Sequence, residues 1–284
     1  MSAISSTSST YLSSPIGDID NTTEQKNFQV FFEFWLVEQD KDLQDLISVA
    51  KDHQRVADDT DDAVLGSLIE RVVQRYENYY RAKSMWAKRD VLRMLSPSWL
   101  SSLEDAFLWI GGWRPSMAFH LLYSKSGLQL EDRLGDLIRG MVTGDLADLS
   151  PEQMTRVDTL QRRTIWEEKE ITEKMAKHQE SLADSSMVEL SHVVSEFMRS
   201  GDEDGGNGAH SDRERVESTL APKEEGLKVL LQRADDLRLK TLKDIVGVLT
   251  PIQAVHFLIA AAELHLRLHE WGKRTEAPSH GDHN

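Results

Sequence analysis

Apolar residues recur every three to four positions along most of the chain, which is the period of an amphipathic helix. Runs in which apolar and polar residues alternate strictly, as in a half-buried strand, are short and rare. The pattern therefore predicts an all-α protein, built as a bundle of several helices. The first helix is expected over about 24–53, where most apolar side chains form one broad stripe. That stripe contains Phe28, Phe31, Phe32, Trp35, Leu43, Leu46 and Ile47.

Proline and glycine mark the ends of the next predicted helices. A second helix should run from the acidic turn at 58–62 to Ser96-Pro97, because proline disfavours helical geometry in the residue before it. A third is predicted over 99–110, ahead of two glycines. A fourth should begin after Pro115, since proline is accepted in the first turn of a helix.

The C-terminal half has its own start and stop signals. Ser150, followed by proline and then by glutamine three positions later, resembles a capping box, so a long helix, with breaks, is predicted from here towards Met198. Residues 200–215 are rich in Gly and Asp and bury too little apolar surface to offset the entropy of ordering, which predicts a flexible linker. Two further helices are predicted, one through 227–249 and one over 251–272.

The last of these helices places two histidines in the middle of a wide apolar arc. His265 and His269 are four residues apart, and therefore about 40° apart around the helix axis. His256 lies on the narrow polar strip instead. Two imidazoles on a buried face are either core residues with satisfied hydrogen bonds or ligands for something that enters the core. The residues alone leave both interpretations open.

The composition limits the classes of function. A formal net charge of -15 argues against nucleic-acid binding through the overall field, because neutralising phosphates needs clustered Lys and Arg. The absence of Cys excludes disulfides, thiolate zinc sites and cysteine nucleophiles, and suits an intracellular protein. No run approaches the ~18 apolar residues of a spanning helix, so a soluble protein without membrane contact is expected.

The composition also divides the chain into a domain and two tails. Residues 1–20 are Ser/Thr-rich and lack the apolar region of a secretory signal, so this segment is predicted to be a disordered tail. One helical domain is expected over 21–275, with its acidic, Gly-rich linker at 200–215. Residues 276–284 form a C-terminal tail in this division.

The other short motifs favour structural interpretations. The GGWRPS segment at 111–116 lacks the spacing of a phosphate loop and follows no strand, so a turn between helices is predicted. The acidic cluster at 202–205 lacks the bidentate Glu of a calcium loop and is assigned to the linker. No nucleophile elbow, metal-hydrolase motif or nucleotide fingerprint occurs. We therefore expect a protein that is not an enzyme, with no catalytic residues.

Several separated blocks, in order, resemble the seed-dormancy-control, or Delay of Germination, domain of plants. They begin at Phe28 (FQVFFEFWLVEQDKDLQDLI), Tyr76 and Leu231, and they include W-I-G-G-W-R-P-S and A-D-x-L-R-x-x-T-L. The same domain forms the C-terminal part of TGA-type bZIP transcription factors. No basic region followed by leucine heptads precedes Phe28, so the chain resembles the stand-alone dormancy branch, and direct sequence-specific DNA binding is not expected.

The resemblance implies a plant regulatory protein of seed maturation, dormancy and abscisic acid signalling, acting in the nucleus and cytoplasm through protein-protein contacts. It implies type 2C protein phosphatases and bZIP transcription factors as partners. In the dormancy branch, two histidines in an L-H-L-x-x-H-E-W segment are implicated in haem binding, and the matching residues are His265 and His269. A transcriptional co-regulator associated with bZIP factors and a sensor of a small ligand are the alternative functions.

Helix geometry restricts how these histidines could hold a metal. Side chains four apart on one helix lie within about 6 Å of each other, so the pair cannot supply both axial ligands of one iron. His120 and His192 are candidates for an opposite ligand by residue type only. A zinc site is disfavoured, because the glutamate of H-E-x-x-H is missing and no third ligand is identifiable.

The aromatic stripe of the first helix is the candidate partner-binding surface. Phe28, Phe31, Phe32 and Trp35 are predicted mainly as core aromatics, but an amphipathic helix can also present one edge to a partner. In the dormancy branch, an acidic segment with a Tyr precedes the matching Trp and is linked to phosphatase docking. Here residues 30–34 read VFFEF instead, which departs from that pattern.

Overall fold

The computed structural model describes residues 21–53, 61–132, 145–200 and 208–276. Every regular element in these ranges is a helix, which confirms the all-α prediction. The α-helices are α1 (Asn21–His53), α2 (Asp61–Ala87), α3 (Val91–Leu95), α4 (Ser102–Asp105), α5 (Met117–Asp132), α6 (Pro151–Glu180), α7 (Ser185–Ser200), α8 (Gly208–Val246) and α9 (Pro251–Glu276). Short 3-10 turns occupy Leu146–Asp148 and Ser181–Ala183.

Helix α9 lies at the centre of the bundle. It is apolar around most of its circumference, as the sequence predicted, and packs against α1, α2, α4 and α5. Its pairing with α1 is antiparallel, because Phe32 contacts His269 while Trp35, further along α1, contacts His265. The first and last helices therefore form the middle of the fold together.

The aromatic stripe of α1 joins the interior. Phe28, Phe32 and Trp35 are buried, and Phe31 is half-buried against the ring of Tyr79. These rings pack on α2, α3 and Leu231 of α8 in a second apolar cluster beside the main core. The prediction that they are mainly core aromatics is confirmed.

Helices α6 and α7 both pack on α8. The predicted capping box is present, with Ser150 Oγ accepting from the Gln153 amide at 3.1 Å and the Gln153 side chain accepting from the Ser150 amide at 2.9 Å. The expected break occurs at Ser181–Ala183. Helix α8 begins at Gly208, inside the segment over which a flexible linker is predicted.

Two predicted helices are shorter than expected. The second ends at Ala87, because Asp90 caps a separate short helix by accepting from the Arg93 amide at 3.1 Å. The helix predicted over 99–110 is a single turn at Ser102–Asp105. The predicted tail at 1–20, residues 277–284 of the tail predicted at 276–284, and residues 201–207 of the linker lie outside the described residues.

Candidate functional site

The W-I-G-G-W-R-P-S segment is held in place by a buried arginine of α8. Arg238 Nε donates to the Trp113 carbonyl at 2.6 Å, and its terminal nitrogens donate to the carbonyls of Ile110, at 3.0 Å, and Trp109. These carbonyls belong to the turn that follows α4, so the guanidinium fixes that turn, which bends back at Gly111, whose φ is 68°.

A buried lysine completes the same cluster. Lys83 Nζ of α2 donates to the Gly111 carbonyl at 2.6 Å and to Asp235 Oδ1 at 3.0 Å, and Asp235 also pairs with Arg238 at 2.5 Å. Burial lowers the pKa of Lys83 to about 8, although the Asp235 carboxylate opposes the shift. We call Lys83, Asp235 and Arg238 the cation clamp. It joins the two sequence motifs that carried the family resemblance.

A cavity of about 210 Å³ lies between the clamp and the histidines of α9. Its wall is mainly apolar and rich in aromatic rings, with a few polar groups, as in many ligand sites. The aromatic wall residues are Phe32, Trp35, Tyr76, Tyr79, Tyr80, Trp99, Phe107, Trp113 and Phe257, and the charged or titratable ones are Lys83, Glu104 and His265.

His265 is the histidine that lines this cavity. Its Nδ1 lies 2.7 Å from Gln39 Oε1 on α1, and its ring meets the indole of Trp35 edge to face at 5.4 Å. Burial lowers the pKa of His265 to about 4, against the attraction of the nearby Glu104 carboxylate. The imidazole is therefore neutral at pH 7, which is the form that can ligate a metal.

His269 lies one turn further along α9 and is buried outside the cavity wall. Its Nδ1 lies 2.9 Å from Glu104 Oε1, while its Nε2 is enclosed without a hydrogen-bond partner among the described residues, next to the ring of Phe32. Burial opposes ionisation of Glu104, but hydrogen bonds from His269 and Ser101 outweigh it and lower the pKa of this carboxyl. Glu104 and His269 thus form a buried carboxylate–imidazole pair in which His269 Nε2 has no hydrogen-bond partner among the described residues.

Buried polar atoms without a partner are uncommon, so they mark places that need a physical account. Four side-chain atoms meet that description among the described residues: Trp35 Nε1, Arg75 Nε, Thr241 Oγ1 and His269 Nε2. Arg75 Nε lies 2.5 Å from Asp42 Oδ2 and is paired electrostatically. Two of the other three, on Trp35 and His269, belong to the histidine region.

These residues fit one axial ligand of a haem but do not show two. His265 offers a neutral imidazole at the wall of an apolar, aromatic cavity, which is what a proximal ligand requires. His120 on α5 and His192 on α7 are exposed, and neither lines the cavity. No group of three or more His, Cys, Asp or Glu converges as a metal site in the part of the chain that the structure describes.

The four candidate partner-binding residues offer little surface. Phe28, Phe32 and Trp35 are buried and only Phe31 is partly accessible. The large apolar side chains that α1 does expose lie on its outer face, at Val30, Phe34 and Val37. They are spaced as i, i+4 and i+7, the spacing at which one helix face docks into a groove.

The partners of both histidines were not predicted from the sequence. Glu104 carried a usable signal, because Ser101 followed by Glu three residues later is a capping-box pattern, and the structure contains that box. Gln39 was a polar residue at an apolar position, seven residues after Phe32 on the buried stripe of α1. Which histidine each would meet depends on contacts between distant helices and had no local signal.

Comparison with known proteins identifies the family to which this regulatory fold belongs. Residues 42–124 match the profile of the family described as seed dormancy control. The Arabidopsis thaliana protein DOG1-like 3 is 32% identical over 254 residues, which cover 87% of this chain and 84% of that protein. The chain therefore belongs to the seed dormancy control family, as the resemblance indicated.

Two more distant relatives place the chain within a wider group. The Arabidopsis thaliana protein RESPONSE TO ABA AND SALT 1 is 25% identical over 253 residues, which cover 88% of this chain and 96% of that protein. Transcription factor TGA7 of the same plant is 26% identical over 273 residues, or 93% of this chain and 61% of that protein. The expected relationship to TGA factors is confirmed. No helix among the described residues has the length and apolar character needed to cross a membrane.

Proposed function

We propose that this protein is a non-enzymatic regulator of seed dormancy and abscisic acid signalling that binds haem at His265 and acts through protein-protein contacts in the nucleus and cytoplasm. The observation that carries the proposal is the neutral imidazole of His265 at the wall of the aromatic cavity. The names of the relatives, which refer to dormancy control and to abscisic acid and salt, support the regulatory part.

The chain's own residues define what the site would do. His265 supplies one nitrogen ligand without first losing a proton, because its pKa of about 4 keeps it neutral in the cell. The rings of Trp35, Tyr79 and Trp113 in the cavity wall would hold a planar macrocycle by apolar contact and would keep water from it. Haem would supply an iron whose state the domain could report to its surface.

A hemin titration of the purified full chain tests the cofactor proposal. The wild type should develop a shifted Soret band at one equivalent, and His265→Ala should remove it, because the cavity then has no imidazole at its wall. His256→Ala is the matched control on the same helix, since His256 lies outside the cavity wall and faces Gln129 at 3.2 Å. The His265→Ala, His269→Ala double variant should also lose the band.

The controls for folding decide how that result is interpreted. Far-ultraviolet circular dichroism should show the same helical content in every variant. A Soret band that survives in a folded double variant would reject ligation by this pair. A wild type with no specific band would reject haem as the ligand.

Partner binding is a separate part of the proposal, and the exposed face of α1 offers a way to test it. A type 2C protein phosphatase that docks here would cover Val30, Phe34 and Val37, so Phe34→Asp should weaken capture of the phosphatase at least tenfold. Leu128→Asp is the control, because Leu128 on α5 has a similar exposed fraction, 59% against 61% for Phe34. Equal loss in both variants would contradict docking on α1.

The likeness to TGA7 favours one alternative function, a transcriptional co-regulator that associates with bZIP factors. The net charge of -15 makes direct DNA binding unfavourable, so such a role would depend on a protein partner. A mobility-shift assay distinguishes the two. The chain alone should leave a bZIP target duplex unshifted at physiological salt, and should change the mobility only when a bZIP protein is present.

A further inference from the structure

The two histidines of α9 are set up differently, and Gln39 is the residue that makes the difference at His265. Gln39 is a buried amide on α1 with both ends engaged. Its Nε2 donates to the Tyr76 hydroxyl at 2.8 Å, and its Oε1 faces His265 Nδ1 at 2.7 Å. A carbonyl oxygen only accepts, so His265 must carry a proton on Nδ1.

The second ring nitrogen of His265 then holds a lone pair. A neutral imidazole has one protonated nitrogen, so a proton on Nδ1 leaves Nε2 unprotonated. Gln39 lies outside the cavity wall, whereas His265 forms part of it. The nitrogen that is engaged by Gln39 is therefore the one directed towards α1, and the nitrogen left for a ligand is Nε2.

His269 differs from His265 because it has no access to the cavity. Its Nδ1 also faces an acceptor, Glu104 Oε1, but its Nε2 is fully enclosed and the residue does not line the cavity. Helix α9 is locked here, because Gly272 lies directly against Ser101, so close that a Cβ at this position would come within 2.6 Å of the Ser101 Cβ. This contact holds the backbone of α9 against α4 next to His269.

We infer that Gln39 is the positioning residue of the site, and that by fixing the Nδ1-protonated form of His265 it makes Nε2 of His265, and no atom of His269, the ligating group. This assignment rests on the proposed function only for what binds; the protonation pattern belongs to the ligand-free protein. Residues that orient a ligating imidazole from behind commonly change metal affinity by about 10- to 100-fold when they are mutated.

The competing arrangement is chemically well defined. If the Gln39 amide were reversed, Tyr76 would donate to its oxygen, its NH₂ would donate to His265 Nδ1, and the proton of the imidazole would sit on Nε2. An Nε2 that carries a proton cannot ligate iron. The two arrangements therefore differ in a property of His265 that can be measured without any ligand.

Nitrogen-15 NMR of histidine-labelled, ligand-free full chain at pH 7 measures that property. His265→Gln identifies the signals of His265 by their disappearance. We expect Nδ1 of His265 to resonate as protonated and Nε2 as unprotonated. The opposite pattern would overturn the inference, whether or not hemin binds.

Two variants of Gln39 extend the test to ligand binding. Gln39→Leu removes the acceptor with little change in volume, so it should shift His265 towards the Nε2-protonated form and weaken hemin binding about tenfold or more. Gln39→Glu keeps an acceptor oxygen and should retain both the Nδ1-protonated form and hemin binding. Gln129→Leu, which removes the partner of His256, is the matched control and should leave both readouts unchanged.

The outcomes separate the two proposals. If wild-type hemin binding is absent but the nitrogen signals are as expected, the haem proposal fails and the assignment of Gln39 stands. If hemin binds and Gln39→Leu, shown to be folded, binds it as tightly as wild type, Gln39 has no positioning role. Loss of binding in His269→Ala with His265 signals unchanged would contradict the choice of His265 over His269.

Discussion

The cation clamp and the histidine region both bury polar groups beside one cavity, yet they treat those groups in opposite ways. Four hydrogen bonds from Arg238 end on Asp235 and three backbone carbonyls, and no side-chain atom of the clamp is left without a partner. In the histidine region, His269 Nε2 and Trp35 Nε1 are enclosed with no partner among the described residues. The buried side-chain atoms of the clamp are therefore all hydrogen-bonded, and two of those in the histidine region are not.

The difference indicates which of the two regions is structural and which is chemical. A buried charge must be paired and hydrogen-bonded, and the clamp meets that requirement by fixing the W-I-G-G-W-R-P-S turn. The histidine region instead places the neutral imidazole of His265 at the wall of the cavity, where a ligand can reach it. We expect changes in the clamp to affect folding, and changes around His265 to affect binding and pH response.

The largest effect should come from the clamp. Arg238→Met keeps much of the apolar stem but leaves Asp235 with Lys83 as its remaining cation and takes the guanidinium away from three buried carbonyls, so the free energy of unfolding should fall by about 3–5 kcal/mol. Arg267→Met is the control, because Arg267 is exposed and its ion pair is with Glu270 on the same helix, and it should change stability by less than about 1 kcal/mol. Urea denaturation measures both. A clamp variant as stable as the control would contradict the structural role of the clamp.

The next effect concerns acid and the histidine region. The pKa of His265 is about 4 in the folded state and 6.5 ordinarily. Between these pH values, the unfolded chain therefore binds a proton on this imidazole and the folded chain does not. The free energy of unfolding is therefore unaffected by this group above pH 6.5 and falls by up to about 3 kcal/mol as the pH falls towards 4.

Comparing the pH profiles of wild type and His265→Gln isolates that contribution, since other groups titrate in both proteins. The difference between their free energies of unfolding should be flat above pH 6.5 and should change steadily down to pH 4, with wild type losing more. Parallel profiles across this range would show that His265 is not held neutral by burial.

A smaller effect should appear where α9 meets α4. Gly272→Ala places a methyl group against Ser101, the residue that caps α4 and bonds to Glu104, and should reduce stability by about 1–3 kcal/mol. Gly66→Ala in α2 is the opposite case, because nothing lies within 4 Å of its added Cβ, and should stabilise by about 0.5–1 kcal/mol. Thermal unfolding distinguishes the signs. Equal shifts would contradict close packing at Gly272.

Local signals predicted the helices well and the site only in part. The caps at Ser150 and Pro151, and the wide apolar surface of α9, were readable because each depends on neighbouring residues. The helix expected over 99–110 is only one turn long, and the turn that follows it is held by Arg238, more than 120 residues later. The histidine pair was visible from spacing, but the partners of both rings come from α1 and α4, which no local pattern can indicate.

The pairing of α1 with α9 sets the order in which the chain can become stable. Gln39 and His265 are 226 residues apart, so the contacts between α1 and α9 cannot form until α9 has been synthesised. Contacts this distant in sequence slow folding, because the loop must close before the contact is rewarded. During synthesis, the sides of Phe32 and Trp35 that later meet His269 and His265 are an exposed apolar surface of the kind that chaperones bind. A chain that ends before Pro251 would keep that surface exposed permanently, and should aggregate instead of accumulating as a shorter regulator.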